Sequence, residues 1–383
     1  GLPIPVFYCK DCGKPICTDE TIAKISKLFG EFGSNVWFEK EADELVPEGF
    51  TCPHCGGKHF DKETDTLDGW FDSGSTHFAS MLKDQGFWPA TVYLEGLDQY
   101  RGWFQSSLLT SVAARGVAPY KAVVTHGFVV DAEGRKMSKS KGNGVDPLKL
   151  IQEYGVDVLR LWVISADYKS DIRISKEILK QMSESYRKIR NTARFILGNI
   201  HDFDPDRDKV ADADLQEIDR YILMRLNGVI EKCLAAYRSY DYHIIYHALH
   251  NFCVVDLSNF YLDIIKDRLY TQKAGSTARR AAQTAMFEIL DALVRLLAPA
   301  LAFTSEEIWQ FMPHTADSDK GSVMFNPMPA VKEEYQDEKL AAKWDELIAV
   351  KADVSKALEV ARADKVIGHS LGAKVTVFAE GKK

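Results

Sequence analysis

The chain has 383 residues, 46% hydrophobic and 27% charged, with a formal net charge of −7. That length exceeds one ordinary core, so two or three domains are expected. The balance is that of a soluble globular protein, and no apolar run approaches the roughly 18–20 residues that cross a bilayer. The acidic total argues against a protein that coats nucleic acid without selectivity, although a folded RNA needs only a local basic face. The opening Gly1-Leu2-Pro3-Ile4-Pro5 lacks the basic and apolar regions of a signal peptide, so a cytoplasmic location and no membrane partner are expected.

Residues 1–67 are rich in Cys, Gly and charge, with short β-like pieces such as Val36-Trp37-Phe38. Cys9 and Cys12 sit in Cys-Lys-Asp-Cys-Gly, and Cys52 and Cys55 in Cys-Pro-His-Cys-Gly-Gly. A two-residue spacing lets both thiolates of a knuckle reach one ion. Two such knuckles supply a closed four-thiolate site, which is how structural zinc is held, with no position open for catalysis. Two disulfides or a redox dithiol are the alternatives, the first disfavoured without a secretory signal. Cys17, Cys233 and Cys253 lack partner spacing, and Cys233 reads as a small buried hydrophobe.

Residues 68–175 alternate strand-like runs (91–94, 122–125, 127–130) with helical ones (105–115, 147–154), the signature of a parallel sheet with crossover helices. From 176 the pattern turns helical. Leu215, Ile218, Ile222, Leu226, Val229 and Cys233 make one apolar stripe, and Ala285, Ile289, Leu293 and Leu296 another, which predicts a bundle. Thr304 with Glu307 reads as a capping box. Lys176, Lys180, Arg187, Lys188, Arg190 and Arg194 form a candidate basic face, or a solvated one balanced by Glu177 and Glu184. The loop-like stretch 312–335 suggests a boundary, followed by a helix at 338–363 and a strand at 374–379, where the chain stops as if cut.

Lys136-Met137-Ser138-Lys139-Ser140-Lys141-Gly142-Asn143 carries three lysines and two serines among Gly134, Gly142 and Gly144. Such a loop can close over a polyphosphate. Its lysines offset the charge of a departing pyrophosphate, and its hydroxyls and backbone donate hydrogen bonds. The residue types alone equally describe a solvated basic turn.

The string itself matches the KMSKS signature, so the chain resembles the class I aminoacyl-tRNA synthetases. His126-Gly127-Phe128-Val129 is similar to their adenine-contacting approach, and the likeness extends through Asp146-Pro147, Gly155-Val156-Asp157 and Leu159-Arg160. The resemblance implies ATP contacts at His126, Gly127, Val129, Lys136, Met137, Ser138, Lys139 and Ser140, with Lys136 and Lys139 catalytic.

Two further strings resemble the isoleucyl enzymes of that class: Gly69-Trp70-Phe71-Asp72-Ser73-Gly74-Ser75, and Tyr93-Leu94-Glu95-Gly96 followed by Asp98-Gln99-Tyr100-Arg101-Gly102-Trp103-Phe104-Gln105-Ser106-Ser107. By that resemblance Trp70 and Trp103 line the side-chain pocket, and Glu95, Asp98 and Gln99 contact the aminoacyl-adenylate. Three positions depart from the family. Tyr100 stands where His is usual and Leu97 where a small polar residue is common. Gly372 replaces a Glu in the stretch Lys365-Val366-Ile367-Gly368-His369-Ser370-Leu371-Gly372.

The second signature of the class, HIGH, and the editing insertion have no counterpart in these residues. The resemblance therefore implies under half of a whole enzyme, inactive alone. It implies activation of isoleucine with ATP and Mg²⁺, transfer to tRNA(Ile), and a monomer. The expected fold class is α/β plus all-α. A zinc-knuckle insertion (1–67) precedes the second half of a Rossmann-like catalytic domain with the KMSKS loop (68–175). A helical stem and anticodon-binding bundle (176–330) and the start of a C-terminal region (331–383) follow. A valyl-type enzyme or a non-catalytic tRNA-binding module are the rival readings.

Overall fold

The computed structural model describes residues 1–79, 86–138 and 142–378. They fall into two compact units, Gly1–Gly127 and Phe128–Lys383.

The first unit opens with an antiparallel sheet in the order Pro15–Ile16, Phe7–Cys9, Phe60–Lys62. Helix Asp19–Phe32 is capped by Thr18, whose hydroxyl accepts from the Thr21 N–H while Thr21 Oγ1 accepts from the Thr18 N–H at 3.0 Å. Phe7, Ile16, Ile25, Trp37, Leu45 and Phe60 bury together as its core. Val36-Trp37-Phe38 is not β-like: it belongs to the short helix Val36–Glu39. Trp37 is fully buried and its Nε1 donates to Glu63 O at 2.9 Å. Lys62 Nζ meanwhile donates to the carbonyls of Trp37 and Lys40 at the helix end. Burying one large ring and closing those carbonyls outweigh the strand propensity of three residues.

Further along, strands Ala90–Gly96 and Tyr120–His126 pair in parallel, from Ala90↔Tyr120 to Gly96↔His126. Helix Trp103–Arg115 is the crossover between them, closed by Gly116 at φ 74. The α/β reading of this stretch holds: the runs 91–94, 122–125 and 105–115 extend slightly further than expected, whereas 127–130 is a strand only at Val129–Val130. Helix Gly69–Gly74, capped by the Asp68 carboxylate, lies against the crossover helix. There Gly74 has no room for a side chain: a Cβ would sit 2.8 Å from Ser107 N.

In the second unit, strand Val129–Val130 pairs in parallel with Ile172–Arg173. Helix Pro147–Tyr154 follows, with Asp146 accepting from the Leu148 N–H and proline at its first turn. The bundle is built from helices Val156–Ser165, Lys176–Asn199, Glu217–Ser239, Tyr242–Asn251, Thr277–Leu297 and Ala302–Phe311. Both predicted stripes face its core, Ile222, Leu226, Cys233, Ala285, Ile289, Leu293 and Leu296 all being buried. Between Phe252 and Tyr261 the helix winds wider, as a π-helix. Thr192 Oγ1, from a neighbouring helix, meets its Ser258 Oγ at 2.9 Å and its Cys253 carbonyl. Asp219 anchors the bundle from inside. Its buried carboxylate accepts from Arg268 Nη2 (2.6 Å) and Nη1 (2.8 Å) and from the Tyr261 hydroxyl (2.8 Å).

Two expectations are corrected here. Thr304 does not cap its helix, which begins at Ala302 with Leu301 as the flanking residue. Instead the Thr304 N–H (2.7 Å) and hydroxyl (2.6 Å) both donate to Asp157 Oδ2, so a carboxylate from another helix satisfies the terminus. Residues 374–378 form no strand. Val375, Val377 and Phe378 are exposed, and a strand needs a partner that the described residues do not offer. Helix Glu338–Ala363 forms where the sequence placed it, with Leu340 its one buried residue among those described. The stretch before it packs back on the bundle: Val323 is buried, and Asn227 exchanges hydrogen bonds with the Lys332 backbone at 2.6 and 3.1 Å. No helix among the described residues is long and apolar enough to cross a membrane.

One ion pair ties bundle stability to pH. Asp202 accepts from Arg279 Nη1 (2.7 Å) and Nη2 (3.1 Å) and from Gln283 Nε2 (2.7 Å). The Arg279 guanidinium holds its carboxyl at about 2, below the ordinary 3.8. A depressed pKa stabilises the fold above the unfolded value, and the contribution is lost as pH falls through the folded one. The urea midpoint should therefore decline between pH 4 and pH 2, and Arg279→Met should flatten the decline in that window. An identical pH slope in variant and parent would count against this pair.

Candidate functional site

Four cysteines gather in the first unit. Cys9 ends strand Phe7–Cys9, and Cys12 follows in a turn that Gly13 closes at φ 69. Cys52 and Cys55 form the second knuckle, closed by Gly56 at φ 78. In each, the glycine N–H returns to the carbonyl of the first cysteine at 2.8 Å. The sulfurs of Cys9 and Cys55 are 3.6 Å apart and those of Cys12 and Cys52 3.8 Å, with all four within 4.8 Å of one another. A tetrahedral ion with metal–sulfur bonds of about 2.3 Å sets its ligands about 3.8 Å apart, whereas a disulfide needs about 2.05 Å. The set thus fits an ion and not two disulfides.

The surroundings agree. A Cβ on Gly57 would collide with the Asp11 carboxylate and approach Cys9 Sγ at 3.1 Å, so this cradle admits backbone only. At Cys52, burial opposes ionisation, but hydrogen bonds from the His54 and Cys55 backbone outweigh it and bring the thiol down to about 7. At Cys55 the Gly57 N–H favours the thiolate, yet the sulfurs of Cys12 and Cys9 push it up to about 12. Four thiols in contact cannot ionise together unless a cation joins them.

The second cluster of that unit lies at the carboxyl end of the parallel strands, where Glu95 pairs in register with Thr125 and Gly96 with His126. Ligands of open parallel sheets bind at such ends. Trp70 projects from helix Gly69–Gly74 and is 46% exposed. Trp103 is half-buried, its Nε1 donating to Ser73 O at 2.9 Å and its ring 4.3 Å from that of Tyr93. Gln99 Oε1 accepts the Trp103 N–H at 3.2 Å, while Gln99 Nε2 donates to Asp98 at 3.4 Å. A Cβ on Gly102 would meet Gln99 Oε1 at 2.6 Å and Trp70 Cε2 at 3.4 Å, which places Trp70, Gln99 and Trp103 around one backbone corner. Likewise a Cβ on Gly96 would meet Asp98 Oδ1 at 2.6 Å and His126 Cε1 at 3.5 Å. Neither Glu95 nor Asp98 forms an ion pair among the described residues. Flat apolar rings and the Asp98 carboxylate are thus joined through Gln99, and Glu95 lies in the strand that leads to them. Tyr100 is exposed and tilted toward Phe104 at 6.1 Å, and Leu97 is also exposed. Gly127 is buried and its carbonyl contacts His126 Nδ1 at 2.8 Å.

The lysine loop belongs to the second unit. Val129, exposed, and Val130, buried, form the strand before it, and Val130 bridges back to Lys136. Lys136 is exposed, with Nζ 4.1 Å from the centre of the Phe128 ring and no carboxylate partner among the described residues. Met137 packs on the small core of Trp162, Ile174 and Leu179. The Ser138 N–H donates to Asn143 Oδ1 at 3.0 Å. Lys139 and Ser140 lie outside the described residues.

Sequence reasoning missed two side chains that organise this loop. Asp131 is buried, and its carboxylate accepts from the Arg135 N–H (2.8 Å), Arg135 Nε (2.9 Å) and Asn143 Nδ2 (3.0 Å). The Asn143 amide and the Arg135 guanidinium hold its carboxyl at about 2. Asn143 stands in the lysine-rich string, but no local spacing links it to Asp131, twelve positions earlier.

The basic residues of helix Lys176–Asn199 are exposed as a face. Arg187 pairs with Glu184, and Arg190 lies 3.4 Å from Glu307. Arg190, Arg194, Leu197, Ile308 and Phe311 line a groove of about 420 Å³.

The family model described as tRNA synthetases class I (I, L, M and V) matches residues 1–175, and the anticodon-binding domain of tRNA ligase matches residues 219–377. An isoleucine--tRNA ligase of Desulforamulus reducens is 61% identical over all of this chain. One from a Thermoanaerobacter species is 57% identical over 99% of it, and one from Desulfitobacterium hafniense 56% over 99%. The chain spans 41% of the length of each of these curated relatives. Among solved structures, the Agrobacterium radiobacter LeuRS-tRNA-LeuAMS ternary complex aligns with a TM-score of 0.60 at 22% identity, over 87% of this chain and 41% of that one. That likeness bears on the fold alone.

The sulfur geometry makes a prediction. Cobalt(II) added to the metal-free chain should give the visible bands of tetrahedral thiolate coordination, and Cys52→Ser should weaken and shift them. A colourless titration would show that the four sulfurs form no metal centre.

Proposed function

The chain belongs to the class I aminoacyl-tRNA synthetases, and we propose that it carries the isoleucine- and phosphate-binding surfaces of an isoleucine--tRNA ligase. The observation that carries this reading is the aromatic corner that Trp70 and Trp103 form around Gly102, with Gln99 bonded both to the Trp103 N–H and to Asp98, at the carboxyl end of the parallel strands. Flat rings grip a branched aliphatic side chain, and the carboxylates meet its ammonium group. A pocket of this kind rejects valine by only about 10–200-fold, because one methylene is all that separates the two.

In the reaction, a carboxylate oxygen of isoleucine attacks the α-phosphorus of ATP, the bond to the β-phosphate oxygen breaks, and pyrophosphate leaves. A hydroxyl of the terminal tRNA ribose then attacks the acyl carbon and releases AMP. Gln99, fixed by its bond to the Trp103 N–H, and Asp98 orient the aminoacyl group. His126, Gly127 and Val129 contact adenine and ribose. Lys136, exposed and free of carboxylate partners among the described residues, offsets the charge that grows on pyrophosphate, with Met137 and Ser138 setting the backbone beside it. Lys139 and Ser140 join it by the sequence pattern. Magnesium, when it arrives with ATP, neutralises further phosphate charge.

Cys9, Cys12, Cys52 and Cys55 would hold a structural zinc, which with four thiolate ligands would stabilise the small core and leave the chemistry to other residues. The bundle recognises tRNA(Ile) through shape and unstacked bases, and the groove between helices Lys176–Asn199 and Ala302–Phe311 offers Arg194, and Arg190 beside Glu307, to its backbone.

In a full-length isoleucine--tRNA ligase carrying this segment, Trp103→Ala should raise the isoleucine KM of ATP–pyrophosphate exchange while leaving the ATP KM in place. Lys136→Ala should lower kcat at least about tenfold. The chain on its own should catalyse no exchange. Faster exchange with valine than with isoleucine would overturn the substrate, and an unchanged rate for Lys136→Ala would overturn the role of the loop.

A further inference from the structure

We infer that Asp131 and Asn143 are positioning residues that hold the neck of the lysine loop and so place Lys136 for the phosphates. This rests on the nucleotide-binding reading of that loop. Three lysines within six residues, 136 to 141, repel one another, so the loop needs fixed attachment at its ends to keep them together.

The attachment is specific. Asn143 Nδ2 donates to Asp131 Oδ2 at 3.0 Å across twelve residues of chain, and reaches Lys136 O at 3.4 Å. Its Oδ1 accepts the Ser138 N–H at 3.0 Å. One amide thus contacts the residue before the loop, the backbone of the first lysine and the backbone two residues on. Asp131 is only 12% exposed at its side chain and is held in turn by Arg135. The turn at 131–135 would close without Asn143, because the Gly134 and Arg135 N–H groups already bond to Asp131. Asn143 therefore adds nothing the turn requires: one of its bonds ties it to Asp131, and the other two hold the backbone of Lys136 and Ser138.

A positioning role predicts where a lesion will be read. Loosening the neck leaves isoleucine binding intact, since that is assigned to other residues, and lowers the fraction of time in which Lys136 meets the leaving group. Misplacement of about 1 Å costs on the order of a hundredfold in rate.

The test uses a full-length isoleucine--tRNA ligase carrying this segment, with isoleucine-dependent exchange, KM values for ATP and isoleucine, and thermal melting. Asn143→Ala should slow exchange about 10–100-fold, with the isoleucine KM and Tm as in the parent. Transfer to tRNA from preformed isoleucyl-adenylate should also be unaffected. The reciprocal pair Asp131→Asn with Asn143→Asp keeps a carboxylate–amide bond across the neck and an acceptor for the Ser138 N–H, so it should recover most of the rate. Parent-like exchange in Asn143→Ala would overturn the proposal, as would a lowered Tm accompanied by equal changes in both KM values. Lys136→Ala run in parallel separates the two claims. If it is also harmless, the nucleotide reading of the loop has failed, and if it alone slows exchange, only the positioning role has.

Discussion

The approach of helix Gly69–Gly74 to helix Trp103–Arg115 is the constraint on which the proposed amino-acid surface depends. At Gly74 the two backbones are so near that a single methyl group would overlap Ser106 and Ser107. Only that closeness lets Ser73 O reach the indole of Trp103 and brings Trp70 beside Gly102 and Gln99. Glycine inside a helix costs about 1 kcal/mol relative to alanine, and here the cost is offset by contacts that no larger residue permits. Small residues on one helix and a glycine on the other are what bring two tryptophans into one corner.

Charge is distributed by the same logic of available partners. Among the described residues Glu95 and Asp98 form no ion pair and Lys136 has no carboxylate partner, whereas several buried carboxylates of the bundle are paired with arginines. Asp219 with Arg268, and Asp202 with Arg279, are consumed in holding helices together. In the proposed reading, unpaired charges near a strand end and on a glycine-flanked loop would meet a zwitterionic amino acid and a polyphosphate. The four cysteines are a third case, in which like groups lie close enough together to hold one cation.

Much of this was legible in the sequence wherever the determining residues are close along the chain. The cysteine spacing, the apolar stripes, helix Glu338–Ala363 and the Pro147 helix start all depend on neighbours within a few positions. The tryptophan and lysine strings were legible by resemblance. What escaped was long-range. Asp157 satisfies the Thr304 helix terminus from 147 residues away, so a local capping pattern misread it. Trp37 is drawn into a helix by Glu63 and Lys62, and residues 374–378 lack a strand partner that no local pattern can supply. Asn143 was in the quoted string, but its amide works across the neck of the loop, and side-chain direction is not written in spacing.

The most direct measurement is the effect of Gly74→Ala on the two substrates of ATP–pyrophosphate exchange in a full-length isoleucine--tRNA ligase carrying this segment. If the close helix contact builds the amino-acid surface, the isoleucine KM rises about tenfold or more and the ATP KM stays where it was. A folded variant with an unchanged isoleucine KM would contradict the account, because the corner of Trp70 and Trp103 would then not be what holds isoleucine.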